Sequence, residues 1–326
     1  MTVNHYTSKV SIVTPTFMRP METSGLLENL ARQTLLPHEV ILVDGAAADD
    51  RATERAVKRV IDHFPFPIRY LRETGGTAVQ RNAGIDLATG DFVALIDDDV
   101  RLKENFLQVV VDVFNSRARE RVGGIVGYRT GGHLSVQASS RWKWYKRLKL
   151  LTTFEPGRYD FNCGYPINNY LQPPFEGVRP VDFMTTACAV WRREVFDEGL
   201  RFHPFFRDYG VLEDAHFSLT AGRGWDLLQC GDALSEELNS PNGRVNRRRI
   251  GYKCVVNYYF VFQDIANPLS KAQKFRFWRY QSFELLRIVA SALRFRRSSD
   301  LQEVLGRIEG VLAVLRGTAF EKKKSR

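Results

Sequence analysis

The sequence predicts an α/β fold: a mostly parallel central sheet flanked by helices, followed by a helical C-terminal extension. Three patterns predict it. Short runs rich in Val and Ile, bounded by turn residues, recur at 10–14, 40–43, 68–71, 92–96 and 122–126, as buried strands do. Amphipathic stretches separate them: Val57, Val60, Ile61 and Phe64 fall at helical spacing, as do Phe106, Leu107, Val110, Val111 and Phe114. Beyond residue 247 the chain turns helical and basic. Strand–helix–strand repetition places parallel strands between two helical layers.

The elements follow in order. Residues 131–180 carry few strand signals and many Gly, Pro, Asn and Tyr, with a basic-aromatic stretch at 141–150 (RWKWYKRLKL). This predicts a variable connection holding a short helix. Periodicity resumes at Val181, with a helix after Glu213 and a strand at 225–228. Two apolar stripes close the chain. Phe275, Trp278, Leu285, Leu286, Val289 and Leu293 form the first, and Leu301, Val304, Leu305, Ile308, Val311, Leu312 and Leu315 the second. Packing on the core or on a second subunit is their expected structural role.

Composition narrows the class. A chain of 326 residues with 44% hydrophobic and 26% charged residues is ordinary for a packed globular protein. No apolar run approaches the ~20 residues of a membrane-spanning helix. The segment before Lys9 is polar and does not read as a secretory leader. Cys163, Cys188, Cys230 and Cys254 are scattered, without metal-ligand spacing, and read as reduced thiols of a cytoplasmic protein. The net charge of +10 is local: residues 240–326 hold 19 Lys and Arg against 6 Asp and Glu, and the rest of the chain 28 against 31. By charge alone such a tail suits an anionic lipid surface, a phosphorylated acceptor or nucleic acid, or it only solubilises.

In open α/β sheets ligands bind at the carboxyl ends of the strands, so the residues there bear the chemistry. The first strand runs into Thr14-Pro15-Thr16-Phe17 and the second ends in Asp44-Gly45. A rigid Pro beside an acid gives a nucleoside a flat slot and a hydrogen-bond acceptor, although turns use the same residues. The fourth strand ends in Asp97-Asp98-Asp99. Adjacent carboxylates repel unless a cation is near, and Mg²⁺ or Mn²⁺ on a diphosphate meets that need; a solvated acidic turn is the alternative. A glycine turn at Gly75-Gly76 precedes a helix bearing Arg81, a bidentate donor for a diphosphate or a plain surface arginine. Glu213-Asp214 opens a helix, where a carboxylate is a dipole cap or a general base.

Taken together, VSIVTPTFMRP, EVILVDGAAADD, GGTAVQRNAGIDLATGDFVALIDDDV, FMTTACAVWRREVF and LEDAHFSLTAGRGW resemble the family 2 glycosyltransferases of GT-A fold. The match is close over 10–127 and looser over 181–245. The resemblance implies an inverting transfer of sugar from a nucleotide-diphosphate sugar to an acceptor hydroxyl, with Mg²⁺ or Mn²⁺. It divides the chain into a nucleotide-sugar-binding half at 1–130, an acceptor-binding half with a variable insertion at 131–246, and a basic helical region at 247–326. It makes Asp99 the metal ligand and Asp97 the acid facing the ribose, with Asp98 and Arg81 in the same donor-binding set. Thr14, Pro15, Thr16 and Asp44 become nucleoside contacts, Asp214 the base and Glu213 its neighbour orienting the acceptor. Thr186, Ala187 and Cys188 become the acceptor floor, with Arg192 beside it.

Two departures stand out. Gly45 occupies a position where family members often carry a second acid, which weakens the case for uracil. Leu238 or Asn239 stands where many have a histidine metal ligand, so Asp99 and the donor phosphates would hold the cation without it. The expected partners are a nucleotide-sugar donor, a saccharide or lipid-linked acceptor of bacterial surface polysaccharide assembly, an anionic membrane face reached through 270–326, and a second copy of the chain; nucleic acid is not expected. The expected location is cytoplasmic, peripheral at the inner membrane face. The rivals are a nucleotidyltransferase and a non-catalytic nucleotide-sugar or nucleic-acid binding module. TPTFMRP lacks the Gly-rich phosphate loop of the first and of nicotinamide enzymes, and three unpaired carboxylates would repel phosphate in the second.

Overall fold

The computed structural model describes residues 8–131, 140–208, 210–238 and 246–320. They form two compact units, one built from 1–137 and 168–243, the other from 138–167 and 244–326. Residues 138–167, grouped by sequence with the acceptor-binding half, thus cluster with the C-terminal helices.

The first unit holds the sheet. Its strands are β1 (Val10–Thr16), β2 (Glu39–Asp44), β3 (Ile68–Arg72), β4 (Phe92–Ile96), β5 (Val100–Leu102), β6 (Val122–Arg129), β9 (Val178–Pro180), β10 (Cys188–Arg192) and β11 (Asp226–Glu237). They run in the order β3-β2-β1-β4-β10-β6-β11-β5, with β9 on β11. The five runs of Val and Ile are all strands, and β3, β2, β1 and β4 are mutually parallel as expected. The other half is mixed: β6 and β11 are also parallel, while three strands run antiparallel to their neighbours. β10, from far downstream, inserts antiparallel between β4 and β6, and β5 and β9 also pair antiparallel with β11. That insertion lays the chain before Cys188 beside the end of β4.

Helices α1 (Pro20–Leu30), α2 (Ala52–Lys58), α3 (Thr77–Leu87), α4 (Phe106–Ser116), α6 (Arg193–Asp197) and α7 (Glu213–Ala221) complete this unit. α4 buries Phe106, Leu107, Val110, Val111 and Phe114, the stripe read from sequence. The stripe from Val57 to Phe64 is not one helix. α2 stops at Lys58 and a short 3₁₀ turn follows. Phe64 is extended (φ −96°, ψ 147°), because Pro65 disfavours the helical region at the residue before it.

The second unit contains α5 (Ser140–Arg147), the small hairpin of β7 (Tyr159–Asp160) and β8 (Tyr165–Pro166), α8 (Arg247–Ile265), α9 (Lys271–Phe295) and α10 (Ser298–Leu315). Its interior corrects the two-stripe expectation. α9 buries Phe277, Tyr280, Gln281, Glu284, Ile288 and Ala292, leaving Phe275, Leu286 and Leu293 exposed. Buried Glu284 accepts from Tyr145 Oη at 2.6 Å and pairs with Arg141 and Arg287, each at 3.1 Å. A charge so enclosed needs such partners. The inner face of α9 combines this polar network with Phe277, Ile288 and Ala292. Among the described residues no helix is long and apolar enough to cross a membrane.

Candidate active site

The site is assembled where β1 and β4 end and α7 begins. β4 leads directly into Asp97, Asp98 and Asp99, and each meets a cation. Buried Asp98 accepts from Thr16 Oγ1 at 2.8 Å and Arg19 NH1 at 2.7 Å. Arg19 also lies 3.4 Å from Asp99. Asp97 accepts from Arg81 NH2 at 2.9 Å, and its backbone N–H donates to the Ala187 carbonyl at 3.2 Å. Arg19 immediately precedes α1, whose first residue is Pro20, so the helix start fixes its position beside the acids.

α7 arrives from the other side. Leu212 takes a left-handed conformation (φ 68°) at its N-cap. Glu213 is buried, and its Oε1 accepts from Arg81 NH1 at 3.0 Å and Thr77 Oγ1 at 3.1 Å. The segment before α7 is stitched to the glycine turn: Asp208 N–H donates to Gly75 O at 2.7 Å, and Thr77 N–H to Asp208 O at 3.2 Å. Gly76 permits this contact. It sits at φ 103°, and a Cβ there would lie 1.8 Å from the Asp208 carbonyl oxygen, closer than any side chain tolerates.

Between these elements lies a cleft of about 300 Å³. Pro15, Thr16, Arg81, Asp97, Asp98, Asp99, Thr186, Ala187, Glu213 and Asp214 all line it, although they lie up to 200 positions apart. Four candidates lie elsewhere. Thr14 is wholly buried in β1 with its hydroxyl enclosed among the described atoms, because alternate strand residues face opposite sides. Asp44 is buried, its carboxylate held by Ala46 N–H at 2.9 Å and Tyr70 Oη at 2.5 Å. Cys188 lines an adjoining cavity of about 90 Å³ that shares Thr185, Ala187 and Glu237 with the cleft, and burial pushes its thiol up to about 11. Arg192 pairs with Phe92, at the far end of β4 from Asp97, and donates to the Val122 and Phe114 carbonyls.

Arg81 also differs from expectation. Both terminal nitrogens are taken by carboxylates, and its side chain is only 4% exposed, so it joins Asp97 to Glu213 instead of presenting an open fork to a diphosphate. Arg19, Gln80 and Glu237 line the cleft too without having been singled out from sequence. Gln80 Nε2 donates to the Thr16 and Val43 carbonyls, tying α3 to both strand ends. Glu237, one residue before the position searched for a histidine, pairs with Arg129. Leu238 donates its N–H to Asp99 O at 2.9 Å; Asn239 lies outside the described residues. Only Arg19 had a local signal: a cation a few residues past the first strand end.

The electrostatics separate the acids. Burial pushes Asp214 up to about 7, with the adjacent Glu213 charge adding to it. Burial also raises Asp97 against the pull of Arg81, and raises Asp98 to about 6 against Arg19. A base poised near neutrality is what proton transfer requires. In the role of a general base, which only its ionised form can fill, Asp214 is expected to make kcat/KM climb with pH and level off above about 7. A break in the ordinary carboxyl range, near 4, would remove Asp214 from that role.

Among the described residues no three Asp, Glu, His or Cys side chains converge as a protein-only metal cage. The donor set fits instead a Mg²⁺ or Mn²⁺ that takes one or two carboxylates and completes its shell with phosphate oxygens and water. Asp99 and its neighbours could hold such an ion.

A family model described as "Glycosyl transferase family 2" matches residues 11–200. An uncharacterized glycosyltransferase, YwdF, of Bacillus subtilis is 37% identical over 91 residues, covering 28% of this chain and 32% of its own. The GalNAc(5)-diNAcBac-PP-undecaprenol beta-1,3-glucosyltransferase of Campylobacter jejuni is 25% identical over 257 residues, covering 77% of this chain and 80% of its own. The chain spans about a third of the length of the first two curated relatives it matches. Among solved structures, the mannosyltransferase PcManGT of Pyrobaculum calidifontis, in complex with GDP-Man and Mn²⁺, superposes with a TM-score of 0.56 at 17% identity, covering 94% of this chain and 88% of the other. At that identity the likeness is one of fold.

Proposed function

The chain belongs to glycosyl transferase family 2, and from that premise we propose that it transfers a sugar, with inversion, from a nucleotide-diphosphate sugar to an acceptor hydroxyl. The observation that supports this reading is the meeting in one cleft of the Asp97–Asp99 strand end with Glu213 and Asp214. In the proposed step Asp214 takes the acceptor hydroxyl's proton as that oxygen bonds to the anomeric carbon. The bond from that carbon to the diphosphate oxygen breaks on the opposite face, and the nucleoside diphosphate leaves with the bonding pair. Pro15 and Thr16 border the donor, Asp99 would hold the cation, and Thr186 and Ala187 form the acceptor floor. A bound Mg²⁺ or Mn²⁺ supplies positive charge to the departing diphosphate. Arg19, beside Asp98 and Asp99, offers a second positive group there.

PcManGT is described with GDP-Man and Mn²⁺ and the Campylobacter relative with an undecaprenol-linked acceptor. The first supports a cation-assisted reaction on a nucleotide-sugar donor, and the second a lipid-linked saccharide acceptor. Thermal-shift screening of nucleoside diphosphates tests donor binding. One base should raise the melting temperature in a Mn²⁺-dependent way, since a ligand at ~100 Kd stabilises by about 2.7 kcal/mol. The matching nucleotide sugar should then release nucleoside diphosphate. A chain stabilised by none of them, with no release from any nucleotide sugar, overturns the reading.

A cytoplasmic protein with peripheral membrane contact is the accompanying reading. Phe275, Leu286 and Leu293 lie exposed along α9, and Lys271, Lys274 and Arg294 lie on the same helix. Basic and apolar side chains together favour an anionic interface. Cosedimentation with phosphatidylglycerol-rich vesicles is expected to fall several-fold in K271E/K274E/R294E. Unchanged binding of that variant would dismiss the contact.

A further inference from the structure

The cleft holds more acid than base. Asp97, Asp98, Asp99, Glu213, Asp214 and Glu237 line it against Arg19 and Arg81. Arg81 is engaged by Asp97 and Glu213, and Glu237 pairs with Arg129. Arg101, also near these acids, directs its guanidinium to the carbonyls of Asp98, Val100 and Glu22. Arg19 is the cation that meets Asp99, the carboxylate assigned to the metal. Its NH1 lies 2.7 Å from Asp98 Oδ1 and 3.4 Å from Asp99 Oδ2, so one guanidinium nitrogen is shared between two neighbouring acids.

A ring of contacts keeps it there. The Arg19 carbonyl accepts from Thr23 N–H at 3.1 Å and Thr23 Oγ1 at 2.7 Å. Thr23 Oγ1 lies 3.0 Å from Thr16 Oγ1, which donates to Asp98, and Asp98 returns to the Arg19 guanidinium. The side chains of Arg19, Asp98 and Asp99 are 18%, 3% and 12% exposed, so little water screens them.

Charge then sets what this corner can hold. When both are ionised, Asp98 and Asp99 carry two negative charges, of which Arg19 neutralises one. A divalent ion on Asp99 would share that carboxylate with a guanidinium, and like charges so placed repel strongly where water is scarce. A diphosphate entering with the ion reverses the balance. Its oxygens complete the ion's shell and give Arg19 an anionic acceptor of its own.

Resting on the transferase reading above, we propose that Arg19 is a tethered counter-ion that makes cation binding at Asp99 conditional on the donor's diphosphate. It opposes a divalent ion settling on the acids alone and pairs with the diphosphate once ion and donor enter together. Arg19 is a positioning residue in this role, acting through the occupancy of Asp99.

Mn²⁺ binding to the full chain, read by electron paramagnetic resonance of the free ion, tests this with the metal alone as probe. Wild type is expected to bind it weakly. Arg19→Gln keeps an N–H for Asp98 without the charge and should bind about tenfold tighter or more, a small part of the repulsion between a single and a double charge at contact. Arg19→Lys restores the charge and should bind as weakly as wild type, which a merely structural role would not require. Adding Asp99→Asn to Arg19→Gln should remove the gain. In thermal shift, Mn²⁺ alone should raise the melting temperature of Arg19→Gln, whereas wild type should need Mn²⁺ and a nucleoside diphosphate together. Equal affinity in wild type and Arg19→Gln overturns the proposal, as does equal tightening in Arg19→Lys. So does a wild type that takes Mn²⁺ alone as firmly as with a nucleoside diphosphate, a comparison that holds even where Arg19→Gln does not fold. In each of these cases a wild type stabilised by Mn²⁺ and one nucleoside diphosphate keeps the transferase reading. Stabilisation by none of them overturns both.

Discussion

Asp214→Asn is expected to abolish most turnover while leaving the donor bound. The amide keeps the size of the side chain and an oxygen that can still accept from Ala215 N–H, as Asp214 Oδ1 does at 2.8 Å. It cannot take a proton from an attacking hydroxyl. General-base catalysis contributes about 10²–10⁴-fold, so kcat should fall by that factor. The nucleoside-diphosphate thermal shift should be preserved, because Asp214 enters through α7 and not through the strand ends proposed to border the donor. The pH break near 7 should vanish with it. Transfer at the wild-type rate would move the base elsewhere, with Glu213 the remaining carboxylate on that side of the cleft.

Arg81→Met is expected to be the most damaging single change to stability at the site. Arg81 is almost wholly enclosed and lies between Asp97 and Glu213 at 2.9 and 3.0 Å. Methionine keeps the side chain's bulk but leaves buried Glu213 and Asp97, which is 33% exposed at the cleft, without their shared cation. Breaking a buried ion pair by removing one partner costs about 3–5 kcal/mol. For a chain of 326 residues that corresponds to a melting temperature lower by roughly 4–7 °C. Arg81→Lys should recover only part of this, since one ammonium cannot meet both carboxylates with parallel N–H groups. A melting temperature within about 2 °C of wild type for Arg81→Met would show that the bridge holds nothing together. Bridging by Arg81 also explains how α7 is held to the end of β4 although no strand joins them directly.

By itself the sequence determined the elements and the chemical types at their ends. Local signals suffice there. Val and Ile runs bounded by turn residues mark strands whatever they pair with, and the α4 stripe buries as a stripe because helical periodicity is a property of the helix alone. Asp97–Asp99 and Glu213-Asp214 were legible as candidates because clustered charge at an element's end is unusual before any folding is known. Tertiary structure decided which of them meet. β10 inserts between β4 and β6, a long-range pairing no local pattern encodes, and this brings Ala187 to Asp97. The same insertion leaves Arg192 at the opposite end of the strands, since β10 runs antiparallel to β4. Arg19 and Glu237 joined the cleft, and Arg81 became a bridge, through partners far away in the chain. In α9 and α10 apolar periodicity pointed to another face. A buried Arg–Glu–Tyr network joins Phe277, Ile288 and Ala292 on the inner side of α9. Gly306 and Gly310 seat α10 against the α8 backbone, and much of each apolar stripe is left facing outward. Periodicity reports where a helix can bury surface, but only the neighbouring elements decide which side it does.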